Sequence, residues 1–229
     1  MHTHHWDTSV GKYALNSDIK LILVSITEND FIDAKNIKLV AVQYIYTMST
    51  QQTVRLQADE VEGSEALRID SERASQLVDA LNTDLAATQM LYHQLKKHHW
   101  NVEGAEFRDL HLFLGEAADE AEEFADELAE RAQALGGAPV SSPSAISEQS
   151  PVEAEDENVY DIRTSLANDM QMYGDMIEML RDHVALAERL NDPTTAHMLR
   201  ENLIEVEDAA HHIEHYLEDD TLVVESAMQ

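Results

Sequence analysis

With 12 His, 45 acidic residues and no Cys, metal or redox chemistry in this 229-residue chain falls to imidazole nitrogen and carboxylate oxygen. Disulfides, zinc ribbons, iron–sulfur clusters and cysteine nucleophiles are excluded. One series of such residues is compact in sequence: His98, His99 and Trp100, then His111, then Asp119, Glu122, Glu123, Asp126, Glu127 and Glu130. On a helix Asp126 and Glu130 are i and i+4, so their carboxylates share one face about 6 Å apart. Hard oxygens with imidazole suit Fe(II), Mn(II) or Zn(II). The competing reading is a solvated acidic face, with a histidine capping a helix end.

The elements that must position these groups are helices. Ala74, Leu77, Val78, Leu81, Leu85, Thr88, Leu91, Tyr92 and Leu95 recur at threes and fours, predicting a helix of about 28 residues from Asp70, with Ser71 near its start. After a break at 101–105, a second helix is predicted over 107–135, with Phe107, Leu110, Leu114, Ala121, Phe124, Leu128 and Leu135 inward, ended by Gly136-Gly137. A long Ser-, Pro- and acid-rich connection, 138–157, has room for a short helix. Helices are then predicted over 159–190 and 194–217, split by Asn191-Asp192-Pro193. Two long hairpins joined by one long crossover describe an all-α, ferritin-like four-helix bundle over about residues 70–220. Met170, Met172, Met176 and Met179 read as core or interface filler rather than a thioether metal box.

The formal net charge is −30, distributed unevenly. Residues 1–47 hold four Lys against five acids, leaving 11 bases and 40 acids for 48–229, where Lys96 and Lys97 are the only lysines. Such a surface fits a protein of molar salt, where the Debye length is about 3 Å and like charges barely repel; an acidic mesophilic protein is the alternative. Few cations are available to displace counterions, so direct DNA binding is disfavoured. With no apolar run of bilayer length, a cytoplasmic location and no membrane partner are expected. Residues 1–47, with β-prone runs at 19–26 and 37–46, read as an extension foreign to the domain, as a misplaced start codon would produce, or as a genuine two-strand appendage. Residues 48–69 read as an acidic tail and 221–229 as a C-terminal tail. His2, His4 and His5 are treated as incidental. His211, His212 and His215, with Asp208, read as a transit or surface metal site, or for His211 a buried structural residue.

Two geometric points constrain the chemistry. Ferritin-like di-iron centres inside one bundle need Glu-x-x-His on two helices. No histidine here has Glu three residues before it, and only His211 has an acid there, Asp208; an intra-bundle centre is therefore not expected. His111 and Asp126 are 15 residues apart, about 22 Å along a straight helix, so one ion cannot touch both in one chain. If they serve one metal, the second ligand set comes from another subunit, with two copies of the helix antiparallel about a two-fold axis.

The run 91–111, containing His99-Trp100-Asn101-Val102-x-Gly104-x-x-Phe107-x-x-Leu110-His111, followed by 126–137, resembles the Dps family, mini-ferritins that protect DNA in starved or oxidatively stressed cells. The resemblance spans about residues 60–220, and the acidic composition is similar to the branch from salt-loving archaea. It implies a hollow homododecamer that oxidises Fe(II) with peroxide or dioxygen at two-fold interfaces and stores ferric mineral inside. Carried over by position, His99 and His111 are the imidazole ligands of one chain, and Asp126 and Glu130 the carboxylates of its neighbour. The family's Asp four residues after the second histidine is replaced by Gly115, with Glu116 or Asp119 the candidates to compensate and a weakly held second iron the alternative. Glu122 and Glu123 are candidates for a carboxylate patch where mineral nucleates. Asp182, His183, Glu188, Asp192 and His197 lie where the family's acidic pores form. A DNA-coating shell whose chemistry is secondary is the alternative function, and a helical scaffold with a degenerate site a third.

Overall fold

The structure, a computed structural model, describes residues 54–218. The chain divides into compact units at 1–54 and 55–229, and every helix named below belongs to the second. The two β-prone runs, His2, His4, His5 and the tail 221–229 lie outside the described residues.

Among the described residues five helices form: α1 (Ser71–Asn101), α2 (Phe107–Ala134), α3 (Pro143–Gln149), α4 (Ile162–Arg189) and α5 (Pro193–Leu217). Four of their starts follow from side chains that satisfy orphaned amides, while α2 begins without a side-chain cap. Asp70 accepts from the Arg73 amide at 3.0 Å, so α1 starts one residue after its cap. Asp161 accepts from the Thr164 amide at 3.1 Å; α4 therefore begins at Ile162, three residues later than the apolar period suggested. Asp192 caps α5 ahead of Pro193, whose missing N–H costs nothing at the first helical position. The short helix in the crossover is α3, capped by Ser142.

α1 with α2 and α4 with α5 are the two hairpins, α1 packs on α4, and α3 lies against α1. The core is predominantly leucine, including Leu77, Leu81, Leu91, Leu95, Leu114, Leu128, Leu180 and Leu199, each at most 1% exposed. Each contributes about 1.5–3 kcal/mol through burial. Met172 and Met176 are core residues while Met170 and Met179 pack at its edge, as filler would. Phe107, predicted inward, is instead 46% exposed, because it stands at the first residue of α2, beyond the bundle's end.

The α1–α4 seam carries polar cross-links among the leucines. His183 Nδ1–H donates to Asp84 at 2.7 Å, and the Gln94 amide donates to Asp169 at 2.9 Å. His98, 3% exposed, contacts Asp169 through Nδ1 and Glu155 through Nε2, both at 2.7 Å. Lys97 also reaches Glu155, at 2.6 Å, fastening the segment after α3 to the end of α1. Elsewhere Gly136, at φ 87°, packs against Gly63, itself at φ 78°; a Cβ on Gly136 would lie 2.4 Å from the Gly63 carbonyl oxygen. That close approach needs glycine at both places. With the bond from the Glu62 amide to the Gly136 carbonyl, 3.1 Å, and the Ser64–Ile69 bridge, it binds residues 62–69 to the end of α2.

Candidate metal centre

The end of α1 and the first turn of α2 bring His99 and His111 together. Their rings stack with centroids 3.8 Å apart and planes 18° from parallel, and Phe107 stacks on His111 at 5.1 Å. His99 Nδ1–H donates to the His111 carbonyl at 2.7 Å, and His111 Nδ1–H returns a bond to the His99 carbonyl at 2.9 Å. A carbonyl oxygen can only accept, so each Nδ1 carries the proton and each neutral ring keeps a bare lone pair on Nε2. Fixing Nδ1 in this way is how proteins orient imidazole toward a metal.

Gly115 makes the stack possible. A Cβ there would sit 3.1 Å from Nδ1 and Cε1 of His99, tight enough that the ring would have to shift. The departure from the family pattern at this position is thus matched by where the His99 ring rests. Stacking has a second consequence. A ligand lone pair lies in its ring plane, and planes this nearly parallel do not meet within the roughly 2 Å of a metal–nitrogen bond. The two rings can therefore each hold an ion of their own, side by side, but cannot share one without reorienting.

Asp126 and Glu130 stand further along α2, both exposed. Among the described residues no three His, Asp or Glu side chains gather as a metal site. One chain thus brings together the imidazoles, holds the two carboxylates on one helix face, and does not bring the two sets to each other. Glu116 is exposed, while Asp119 binds Lys96 at 2.8 Å. Asp119, Glu122 and Asp126 border an open hollow between α1, α2 and the start of the crossover. Glu123 borders it too, and also a groove of about 320 Å³ between α2 and α5, rimmed by Glu120, Glu127, Glu201 and Glu205. Burial and then repulsion from Glu205, Glu116, Asp208 and Glu123 push Glu120 above the usual carboxylate range. Trp100, 72% exposed, and Leu112, 48% exposed, are the sequence neighbours of His99 and His111.

Of the residues proposed for pores, Asp192 is 3% exposed and committed to Arg131, which it binds at 2.7 Å. His183 is likewise held by Asp84, and Glu188 binds Arg200. His197, 3.6 Å from Glu201, and Asp182 are on the surface or near it. His98 has both nitrogens on carboxylates, so it is an imidazolium cross-link and not a ligand. Burial opposes its charge, but Asp169 and Glu155 outweigh burial and hold its pKa above the ordinary histidine value. The periodicity carried a signal for both buried acids: Asp84 and Asp169 interrupt apolar stripes, at positions flanked by Leu81 and Leu85 and by Leu166 and Met170.

The family model for the ferritin-like domain matches residues 78–223. A DNA protection during starvation protein from Halobacterium salinarum is 70% identical over 182 residues, covering 80% of this chain and 100% of that one. The crystal structure of an archaeal Dps homologue from Halobacterium salinarum matches with a TM-score of 0.75 at 70% identity, covering 78% of this chain and 99% of that one. DpsC from Streptomyces coelicolor matches at 0.72 with 27% identity, covering 75% and 100% of the two chains.

Proposed function

The chain belongs to the ferritin-like family and, within it, to the Dps proteins, and on that premise we propose that it oxidises Fe(II) and stores the ferric product inside a homododecameric shell. The observation that carries this reading is the His99–His111 pair, whose Nδ1 protons are tied to main-chain carbonyls and whose Nε2 atoms have no hydrogen-bond partner among the described residues. Across a two-fold axis, Asp126 and Glu130 of a neighbouring copy complete the coordination. Trp100, Leu112 and Phe107 are the apolar anchors of that interface, of the kind that becomes buried when two copies pair.

Each stacked imidazole serves its own Fe(II), and the neighbour's carboxylates lie against both. Anionic oxygen ligands stabilise Fe(III) over Fe(II) and so lower the cost of giving up an electron. Two Fe(II) supply the two electrons that hydrogen peroxide takes: with two protons, peroxide becomes two waters and both irons become Fe(III). Dioxygen is the alternative oxidant. With no side chain at 115, Glu116 or a released Asp119 supplies the missing oxygen donor; the Lys96–Asp119 pair is exposed and contributes little that would resist release. Glu122 and Glu123 then offer oxygens on which ferric ion condenses. The acidic surface argues against direct DNA binding as the primary activity, whatever the name of the Halobacterium relative implies for that protein.

The test is anaerobic Fe(II) titration of the assembled protein followed by peroxide. Rapid oxidation, stoichiometric with the centres and lost in His99→Ala, supports the reading; slow oxidation unaffected by that substitution would leave only a helical scaffold. A gel shift at low and at molar salt distinguishes the DNA-coating alternative.

A further inference from the structure

The end of α5 carries a second histidine pair of different construction. His211 and His215 are i and i+4 on one helical face, and their Nε2 atoms lie 3.1 Å apart. Their rings are inclined at 63° with centroids 4.3 Å apart. Planes at this angle intersect close by, so a single ion can lie in both, at a separation that two nitrogens bound to one cation at about 2.0–2.1 Å adopt. Each Nδ1 has a carboxylate beside it: Glu214 lies 3.3 Å from that of His211, and Glu218 lies 3.5 Å from that of His215. Glu214 accepts from His211 Nδ1–H, which leaves the lone pair of His211 on Nε2 to accept from His215 Nε2–H. A divalent cation that takes the place of that one proton, the His215 proton moving to Nδ1 toward Glu218, finds both nitrogens already at chelating distance. His215 also lies in the last turn of α5, where the helix dipole is negative and favours positive charge.

We propose that His211 and His215 form a bidentate chelate for a borderline divalent cation, Cu(II), Ni(II) or Zn(II), separate from the iron-oxidising centre. Paired histidines at i and i+4 are a recurrent zinc arrangement, and carboxylates on the far nitrogens are the usual support for such ligands. Among the described residues no third ligand converges on them, so water or a neighbouring chain fills the remaining positions. Both rings are more than half exposed, which leaves the ion free access. His212 is the internal control: its Nδ1–H donates to the Asp208 carbonyl at 3.0 Å, on another face of the helix.

The experiment uses the full assembled chain carrying His2→Asn, His4→Asn, His5→Asn and His111→Ala, which removes the histidine cluster near the N-terminus of the sequence and one imidazole of the stacked pair. Zn(II) titration by calorimetry is expected to show one site per chain, and Cu(II) bound there to show electron-resonance splitting from two equivalent nitrogens. In this background His215→Ala lowers Zn(II) affinity at least about tenfold and leaves one nitrogen in the Cu(II) spectrum, Glu218→Gln lowers affinity about threefold, and His212→Ala changes neither. No Zn(II) binding in the background protein would overturn the proposal, as would retention of affinity and splitting in His215→Ala or an equal loss in His212→Ala.

Discussion

The described residues hold two histidine pairs built from the same parts to opposite ends. His99 and His111 come from different helices and stack 18° from parallel, whereas His211 and His215 come from one helix and incline at 63°. In the first, main-chain carbonyls hold both Nδ1 protons and the ring planes diverge to separate ions. In the second, Glu214 holds the Nδ1 proton of His211, the two Nε2 atoms share a hydrogen bond, and the planes converge. The first is half-buried and, in the proposed function, is completed by carboxylates of a neighbouring copy; the second is open to solvent and leaves its remaining positions to water or a neighbouring chain. Histidine count and spacing do not distinguish these cases. Ring orientation, fixed by what sits on Nδ1, does.

The largest expected effect tests the assignment of redox chemistry to the stacked pair alone. His99→Ala slows peroxide-driven Fe(II) oxidation about 100-fold or more, while His215→Ala changes it less than twofold, as stopped-flow absorbance will report. Equal losses would erase the distinction. Next in size is Gly115→Ala, whose methyl pushes on the His99 ring from 3.1 Å; Fe(II) affinity drops roughly three- to tenfold with little change in thermal stability. Unaltered affinity would mean that the ring's resting place is unimportant.

The smallest effect concerns a histidine that belongs to neither pair. Burial acts against the charge on His183, but Asp84, and after it Asp182, prevail and raise its pKa above 6.5, the ordinary value. Asp84, one of whose oxygens has no partner, is also raised, chiefly by burial and against the influence of His183. Both groups have folded pKa values above their unfolded ones, so their contribution is present at low pH and is lost as pH rises through the folded values. From about pH 6 to pH 9 the wild-type melting temperature therefore falls by a few degrees more than that of His183→Gln. The same slope in both proteins would show that the dyad is not titrating.

Much of this was legible beforehand, for reasons that can be assigned to particular residues. The leucine stripes fixed helix type and number because burial of one face dictates a period near 3.6. The 15-residue gap between His111 and Asp126 showed beforehand that one chain would not bring the two sets together, because helix rise is invariant. Helix starts were less legible: Asp161 rather than the apolar Val159 decides where α4 begins, since a cap's hydrogen bond outweighs one more apolar side chain. Phe107 misled because periodicity does not register that a helix has run past its bundle. The stacking of His99 on His111, and the role of Gly115 in allowing it, depend on two chain segments meeting, which no local pattern encodes. His98 showed the same limit, since its partners Glu155 and Asp169 lie 57 and 71 residues away.

The central claim is that imidazoles from one chain and carboxylates from another make each iron-oxidising centre. Co-assembling equal amounts of His99→Ala and Asp126→Ala chains tests it most directly, with Fe(II) oxidation rate as the readout. Random pairing gives a histidine-intact chain opposite a carboxylate-intact one in about a quarter of the centres, so the mixture should recover about a quarter of the wild-type rate although each variant alone is inactive. A mixture no faster than its parents would contradict the account, since it would place all the ligands of a centre within one chain.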